Sequence, residues 1–342
     1  MIKKCFTAFI LLIMAFSMTA CTQRPVDTLT YAVFPYLPDV EYYQEIIETR
    51  WAEIEPDIRL VRADWDCYTD GKPEGIDVVM FDAVMRDKIV ESGWIQSIDP
   101  SEVDKIEDIY PFALEGSTVN GKLYGIPVFL CGNFLIYDQD NEALAKAEHI
   151  TDLEGMSEIL VVNSEFSNYR EQYTIEATAD TLGDVNPSID DSDNVYMQPI
   201  DDLTINKHKH DDNMQVAKVY DSGVGQGYIG FSESMRFLEN RVNETQIRTI
   251  SFGDQENIFR LYVDNAALTA GVKGQRYEKC LELMNVMAEA DVLTKVSVQK
   301  GVPQYLMLAR KSAYPDLINQ FELYAQIEKL ASNEKNNTIL TP

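Results

Sequence analysis

Between Asn120 and Asp140 the sequence NGKLYGIPVFLCGNFLIYDQD carries more strand-forming residues than one ordinary strand uses. That excess restricts the fold more than any other feature of the chain. Gly125 and Pro127 punctuate its start, so the segment suits a chain that ends a strand in one lobe and opens another strand in the next. A second segment of this kind, LYVDNAALTAG, follows Arg260. Two crossings imply that the chain leaves a first lobe, builds a second and returns.

The remaining pattern alternates short apolar runs with amphipathic segments, as α/β architecture requires. LTYAVFPYLP reads as a first strand and loop. From Glu41 to Glu55 the residues Tyr42, Ile46, Ile47, Trp51 and Ile54 recur at helical spacing, and Pro56 closes the helix. IRLVRA is a second strand. IDVVMFDA is a continuous apolar run ending in Asp82, expected as a buried parallel strand whose C-terminal end opens onto a cleft. MRDKIVESGWI reads as a helix. Residues from about Asn163 to Asp212 are polar and read as irregular, YIGFSES resumes a strand pattern, and the chain beyond Gln275 reads as helices. The expected fold is α/β, a two-lobed periplasmic-binding-protein-like (type II) fold with a ligand cleft between the lobes. Its expected divisions are 29–130 for the first part of lobe 1, 131–262 for lobe 2 and 263–342 for the return.

The first 21 residues, MIKKCFTAFILLIMAFSMTAC, combine two lysines, an apolar run and small residues before Cys21. This is a secretory signal pattern covering residues 1–20. Its MTAC ending resembles a bacterial lipobox, which implies cleavage before Cys21, a lipid on that thiol and an anchor linker over 21–28. The expected location is outside the cytoplasm, held to a bacterial membrane through the lipid alone. Loss of Lys3 and Lys4 takes the net charge from -27 to -29. Such an acidic chain repels phosphates, which argues against nucleic acid as a partner. With Cys21 lipidated, Cys67, Cys131 and Cys280 remain, an odd number that leaves at least one free thiol.

Most candidate motifs fail on context. Gly225, Gly227 and Gly230 fit a GxGxxG string but run into the strand-like YIGF instead of opening a helix, so a turn is expected and not a dinucleotide site. His208 and His210 with Asp211 and Asp212 lack a third spaced ligand, and no metal site is expected from them. The serines of FSESM would need a histidine base, and His149, His208 and His210 all lie in polar context. A reactive cysteine would therefore depend on a carboxylate, and Glu233, just after YIGF, sits where a cleft end is expected. Composition and spacing leave open whether Cys131 is a nucleophile or core filling.

The series FPYLPD, DWDCY, MFDA, YPFALEG, NGKLYGIP, LCGNFLIY, GYIGFSESM, LYVDNAALTAG and PQYLMLAR resembles thiamine pyridinylase, the type I thiaminase family, over about Leu29 to Arg310. The resemblance implies that Cys131 attacks the pyrimidine of thiamine and that Glu233 is its general base. The thiazole is then displaced by an incoming amine or thiol. Asp82 and Asp264 would stabilise the ring in its protonated form, and Tyr36, Tyr68 and Tyr262 would offer flat faces and hydroxyls to the substrate. No cofactor and no metal are implied, and the protein is expected to act as a monomer.

The sequence departs from that pattern at three positions. Phe34 and Phe231 stand where the family has tyrosine, and Gly132 stands where it has a hydroxyl residue beside the nucleophile. A related pyrimidine could therefore replace thiamine as substrate. Two non-enzymatic readings compete with the transferase: a lipid-anchored solute-binding protein for thiamine or its pyrimidine, and an interaction lipoprotein with a vestigial cleft.

Overall fold

The computed structural model describes residues 26–165, 167–183, 187, 195–205, 214–253 and 259–340. Cys21 and the rest of the expected signal, and likewise His208, His210, Asp211 and Asp212, lie outside the described residues.

Strand β1 (Thr28–Ala32) opens the described chain and buries Leu29 and Tyr31. Asp39 then caps helix α1 (Val40–Ile54), its carboxylate accepting from the Tyr42 backbone N–H at 2.9 Å. The helix buries Tyr43, Ile47 and Trp51, which fall on one face at a spacing of four. It stops before Pro56, and Trp51 Nε1–H donates to the Ile58 carbonyl at 2.8 Å, folding the chain back along it. Strands β2 (Arg59–Arg62) and β3 (Val78–Asp82) flank β1 in parallel on its two edges. Every residue of β3 is buried, which explains its unbroken apolar run.

Strands β4 (Thr118–Val119) and β5 (Lys122–Leu123) form a tight hairpin, with Asn120 and Gly121 both in the left-handed region. Strand β6 (Ile126–Cys131) follows, and only Gly132 and Asn133 separate it from β7 (Phe134–Asp138). These two strands belong to different sheets. The second sheet is completed by β8 (Leu160–Val161), β9 (Gly227–Gly230) and β10 (Thr245–Arg248), with helix α2 (Ser167–Leu182) inserted after β8. Strand β11 (Phe259–Leu268) returns to the first sheet and leads to helix α3 (Gln275–Met287). The chain ends with the hairpin of β12 (Val298–Gln299) and β13 (Val302–Pro303), strand β14 (Met307–Leu308), helix α4 (Leu323–Ala331) and strand β15 (Asn336–Thr338).

Among the described residues the first sheet runs β14-β6-β11-β3-β1-β2, with β15 continuing beside β11, and the second runs β10-β7-β9-β8. The fold is the two-lobed, periplasmic-binding-protein-like α/β architecture, its two crossings placed where β6 gives way to β7 and where β10 leads to β11. Cys131 pairs with Tyr262 inside the first sheet, and Phe259 to Leu261 pair with β15 there. The second sheet thus starts after Asn133 and the return is complete by Phe259, slightly inside the divisions at 131 and 263 expected from sequence.

Alternation along the second sheet separates two cores. Ile136, Val161, Tyr228 and Ile247 face the main core, which also holds Tyr43, Trp51 and Phe81. Leu135, Tyr137, Leu160 and Ile229 face a smaller one closed by Tyr173 and Phe252.

Helix α2 corrects the expectation of irregular chain between Asn163 and Asp212. Its buried face mixes Tyr173 and Ala177, which join the smaller core, with Glu176, Thr178 and Asp180, so the apolar periodicity that announces a helix is interrupted. Thr174 and Thr181 return their hydroxyls to carbonyls four residues back, which keeps them satisfied inside the helix. Among the described residues no helix is long and apolar enough to cross a membrane.

Candidate active site

The register of three strands assembles the site. Paired residues in adjacent strands share a face, as do residues two apart in one strand. Cys131 pairs with Tyr262, Asp264 pairs with Asp82, and Tyr262 and Asp264 are two apart in β11. Cys131, Tyr262, Asp264 and Asp82 therefore project from one face of the first sheet at the end where β3 and β6 finish. Between Asp264 and Asn265 the pairing with β6 skips Val128, whose carbonyl accepts from the Ala309 N–H at 3.1 Å.

Asp82 ends β3 and is held on two sides. The Tyr68 hydroxyl donates to its Oδ2 at 2.6 Å, and the Val84 N–H donates to Oδ1 at 3.0 Å. Burial nevertheless raises Asp82 to about 6, against the lowering effect of those donors. Asp264, also buried, is pushed well above the carboxylate range by burial first and then by the charges of Asp82 and Glu233. The two facing acids cannot both ionise cheaply, and the donors on Asp82 make it the one that ionises first.

Glu233 comes from the other lobe. Strand β9 ends at Gly230, Phe231 leads into a 3₁₀ turn over Ser232–Phe237, and Glu233 is buried in the first step of that turn. Ser234 fixes the turn by donating to the Phe231 carbonyl at 2.5 Å and sharing a 2.9 Å hydrogen bond with the Tyr228 hydroxyl. Burial raises Glu233 to about 7, only partly opposed by backbone hydrogen bonding and by Arg236.

Cys131 is partly exposed, whereas Cys67 and Cys280 are fully buried, and all three are free thiols. Burial pushes Cys67 and Cys280 to about 12. Cys131 is driven well above the thiol range by desolvation and then by Glu233, Asp264, Asp82 and Glu176, in that order. Those four carboxyls ring the thiol electrostatically. A resting thiolate is therefore disfavoured, and Cys131 can attack only as its proton leaves to a base or as a cation enters the ring.

Aromatic rings line the approach. Phe34, Tyr36 and Tyr68 form a cluster with centroids 5.3 to 6.1 Å apart, and the Tyr36 and Tyr68 rings are the exposed members. Asp66 orders both tyrosines, accepting from the Tyr36 hydroxyl at 2.8 Å and from the Tyr68 N–H at 2.9 Å. Phe231 and Tyr262 meet edge to face at 6.3 Å. Carboxyls and aromatic rings gathered together suit a flat, cationic ligand.

Of the residues expected from sequence, Cys131, Tyr262, Asp264 and Asp82 share one sheet face, Tyr68 bonds Asp82 and meets Tyr36, the charge of Glu233 acts on Cys131, and Cys21 falls outside the described residues. Sequence reasoning missed Asp66, Asn133 and Glu176. Asp66 was visible only as part of DWDCY, and Glu176 lay in the stretch read as irregular. A Cβ at Gly132 would sit 2.6 Å from Leu261 Cδ2, so a side chain there would require the end of Leu261 to shift. His149 is structural, its Nδ1 2.8 Å from the Gly253 carbonyl oxygen. Gly227 and Gly230 lie within β9 and Gly225 in the turn before it, so they form no phosphate loop. Among the described residues no group of three or more His, Cys, Asp or Glu side chains could hold a metal ion.

Fold and site together define a two-lobed α/β protein of the binding-protein type that carries a thiol among carboxyls at the crossing of its lobes. No family model matches the chain. Thiaminase-1 of Paenibacillus thiaminolyticus is 26% identical to it, over 90% of this chain and 82% of that protein. The structure of thiaminase I from Bacillus thiaminolyticus superposes with a TM-score of 0.84 at 25% identity, covering 92% of this chain and 94% of that one. Clostridium botulinum thiaminase I in complex with thiamin superposes at 0.83 with 27% identity and the same coverage. In both sequence and fold the chain is similar to type I thiaminases over most of its length. The GacH receptor of Streptomyces glaucescens, solved in unliganded form and with acarbose, shares the fold alone, at a TM-score of 0.67 and 13% identity over 93% of this chain and 88% of that one.

Proposed function

We propose that this protein cleaves thiamine by transferring its pyrimidine to a second nucleophile, with Cys131 as the attacking group and Glu233 as its base. The observation that carries this reading is the strand register that puts Cys131 beside Tyr262 and in line with Asp264 and Asp82, in a chain homologous to thiaminase-1.

In this reading the thiamine ring system lies against Tyr36, Tyr68 and Tyr262, with its cationic thiazolium over the acidic floor. Its positive charge offsets the field that suppresses the Cys131 thiolate. The Cys131 S–H proton passes to the Glu233 carboxylate while the S–C bond forms at the pyrimidine ring carbon adjacent to the one bearing the bridge. Protonated Asp264 donates to the ring and Asp82 balances the positive charge on it, which lowers the barrier electrostatically. The electron pair of the adduct expels the thiazole, the C–N bond to the bridge breaks, and the thiazole nitrogen becomes neutral. An amine or thiol then adds to the exposed methylene and releases its proton to solvent, Glu233 still holding the proton taken from Cys131. Elimination of Cys131, which recovers its proton from Glu233, restores the aromatic ring.

Incubation of the protein with thiamine and a panel of amines and thiols, followed by mass spectrometry of the pyrimidine products, tests the reading. Binding without any thiazole release would favour a solute-binding protein for thiamine or its pyrimidine, which the fold shared with the GacH receptor also accommodates. The MTAC pattern supports export and anchoring through a lipid on Cys21 as part of the same proposal.

A further inference from the structure

The two-residue crossing that carries Cys131 from β6 towards β7 is held from behind by a buried polar cluster. Asn133 Nδ2–H donates to Glu176 Oε1 of α2 at 2.5 Å, and both side chains are over nine-tenths buried. Arg260, at the start of β11 and two residues before Tyr262, donates through Nη2 to the Glu176 carbonyl and to Asp180 Oδ1, each at 2.9 Å. Asp180 Oδ2 in turn accepts from the Phe252 N–H at 2.7 Å, on the returning crossing. One turn of α2 therefore grips both crossings between the lobes.

The partners are unevenly shared. Arg260 is matched in charge by Asp180, which leaves the Glu176 carboxyl without a cation of its own, and Asn133 is its hydrogen-bond donor. Among the described residues, Asn133 Oδ1 and Arg260 Nε and Nη1 have no hydrogen-bond partner. A cluster built for stability alone would satisfy those atoms or replace them with apolar groups. We propose that Glu176 is a positioning residue for the chemistry at Cys131, fixing the Cys131–Asn133 crossing through its hydrogen bond to Asn133. The proposal rests on the thiaminase-like reading only for the reaction it serves.

The electrostatics agree with the geometry. Burial raises Glu176 to about 8 against the lowering effects of Arg260 and Asn133, with Asp180 adding to the rise. Glu176 therefore stays protonated near neutral pH. The groups that feel its charge from the elements packed on it are Cys131 from the crossing and Tyr262 from β11. Neutral, it anchors Asn133 without adding a further negative neighbour to the thiol. Ionised at alkaline pH, it opposes the thiolate.

Glu176→Ala, Glu176→Gln, Asn133→Ala and the double variant Glu176→Ala/Asn133→Ala separate positioning from packing. Glutamine keeps an acceptor for Asn133, so Glu176→Gln should retain at least tenfold more kcat for thiamine cleavage than Glu176→Ala, with KM changing little. The double variant should be no slower than the slower single variant, because both remove one contact. A second readout needs no substrate: the rate of Cys131 alkylation by iodoacetamide against pH. At pH 9 Glu176→Gln should alkylate roughly two- to tenfold faster than the native protein, since the charge that forms on Glu176 is gone. Glu176→Ala with native kcat, additive losses in the double variant, or superimposable alkylation profiles would each overturn the proposal. If Glu176→Ala does not fold, the Glu176→Gln alkylation profile decides alone. A native protein that cleaves no thiamine yet shows the alkylation shift would sink the proposed function and leave this role standing.

Discussion

Asp82 and Asp264 stand directly opposite each other in the antiparallel pairing of β3 and β11, both buried, with the Tyr68 hydroxyl 2.6 Å from Asp82. Two carboxyls so placed cannot both carry charge cheaply, and the hydroxyl decides which one does. Removing it with Tyr68→Phe should raise Asp82 further above its value of about 6. The lower of the two ionisations on the acidic limb of kcat/KM should move up by roughly one to two pH units, the worth of one hydrogen bond to a charged group. An unmoved limb would mean that Asp82 is not ionised in the working enzyme.

Glu233→Gln keeps shape and removes proton acceptance. Turnover should fall roughly 10²- to 10⁴-fold. In the native protein kcat/KM should rise with pH through about 7 as Glu233 ionises, and that rise should vanish in the variant. Equal turnover in variant and native protein at all pH values would assign the base elsewhere.

Cys131→Ser should fold and bind but release no thiazole, because a hydroxyl is far harder to ionise than a thiol and a carboxylate is too weak a base for it. Cys67→Ser and Cys280→Ser should remain active with lower Tm, since each buries a hydroxyl in an apolar site at a cost of about 1–3 kcal/mol. Normal thiamine cleavage by folded Cys131→Ser would end the nucleophile assignment.

Stability should peak near pH 5 and decline towards pH 8. Asp82, Glu233 and Glu176 titrate at about 6, 7 and 8 when folded, all above their unfolded values. Each is protonated in the native state where the unfolded chain has already ionised, so stability is present at low pH and lost as pH rises through the folded values. Glu48, held low by Arg62, and Asp152, held low by the His149 and Glu148 N–H groups, act oppositely and lose their stabilisation on acidification. Urea unfolding across pH 4 to 9 measures both arms. A midpoint that climbs from pH 5 to pH 8 would contradict the charge states assigned to the cleft.

Cys21→Ser should move the protein from detergent to buffer fractions, and the native protein should carry an acyl mass at that residue. A native protein already soluble and unmodified would dismiss the anchor.

The sequence alone determined the parts of this protein that follow from local pattern. The continuous burial of β3 was legible in IDVVMFDA, the face of α1 in the spacing of Ile47 and Trp51, and the first crossing in the strand excess around Cys131, because apolar periodicity and chain-breaking residues report directly on burial and direction. The pairing of Cys131 with Tyr262 and of Asp264 with Asp82 was not legible. Register between strands distant in sequence is set by how β3, β6 and β11 share one sheet, and a slip of one residue would turn these side chains to the opposite face. Only the tertiary structure also revealed α2 as a helix, since Glu176 and Asp180 are buried on it beside Tyr173 and Ala177 and interrupt its apolar periodicity, and their burial is tolerated because Asn133 from the first crossing and Arg260 from the start of β11 arrive to meet them.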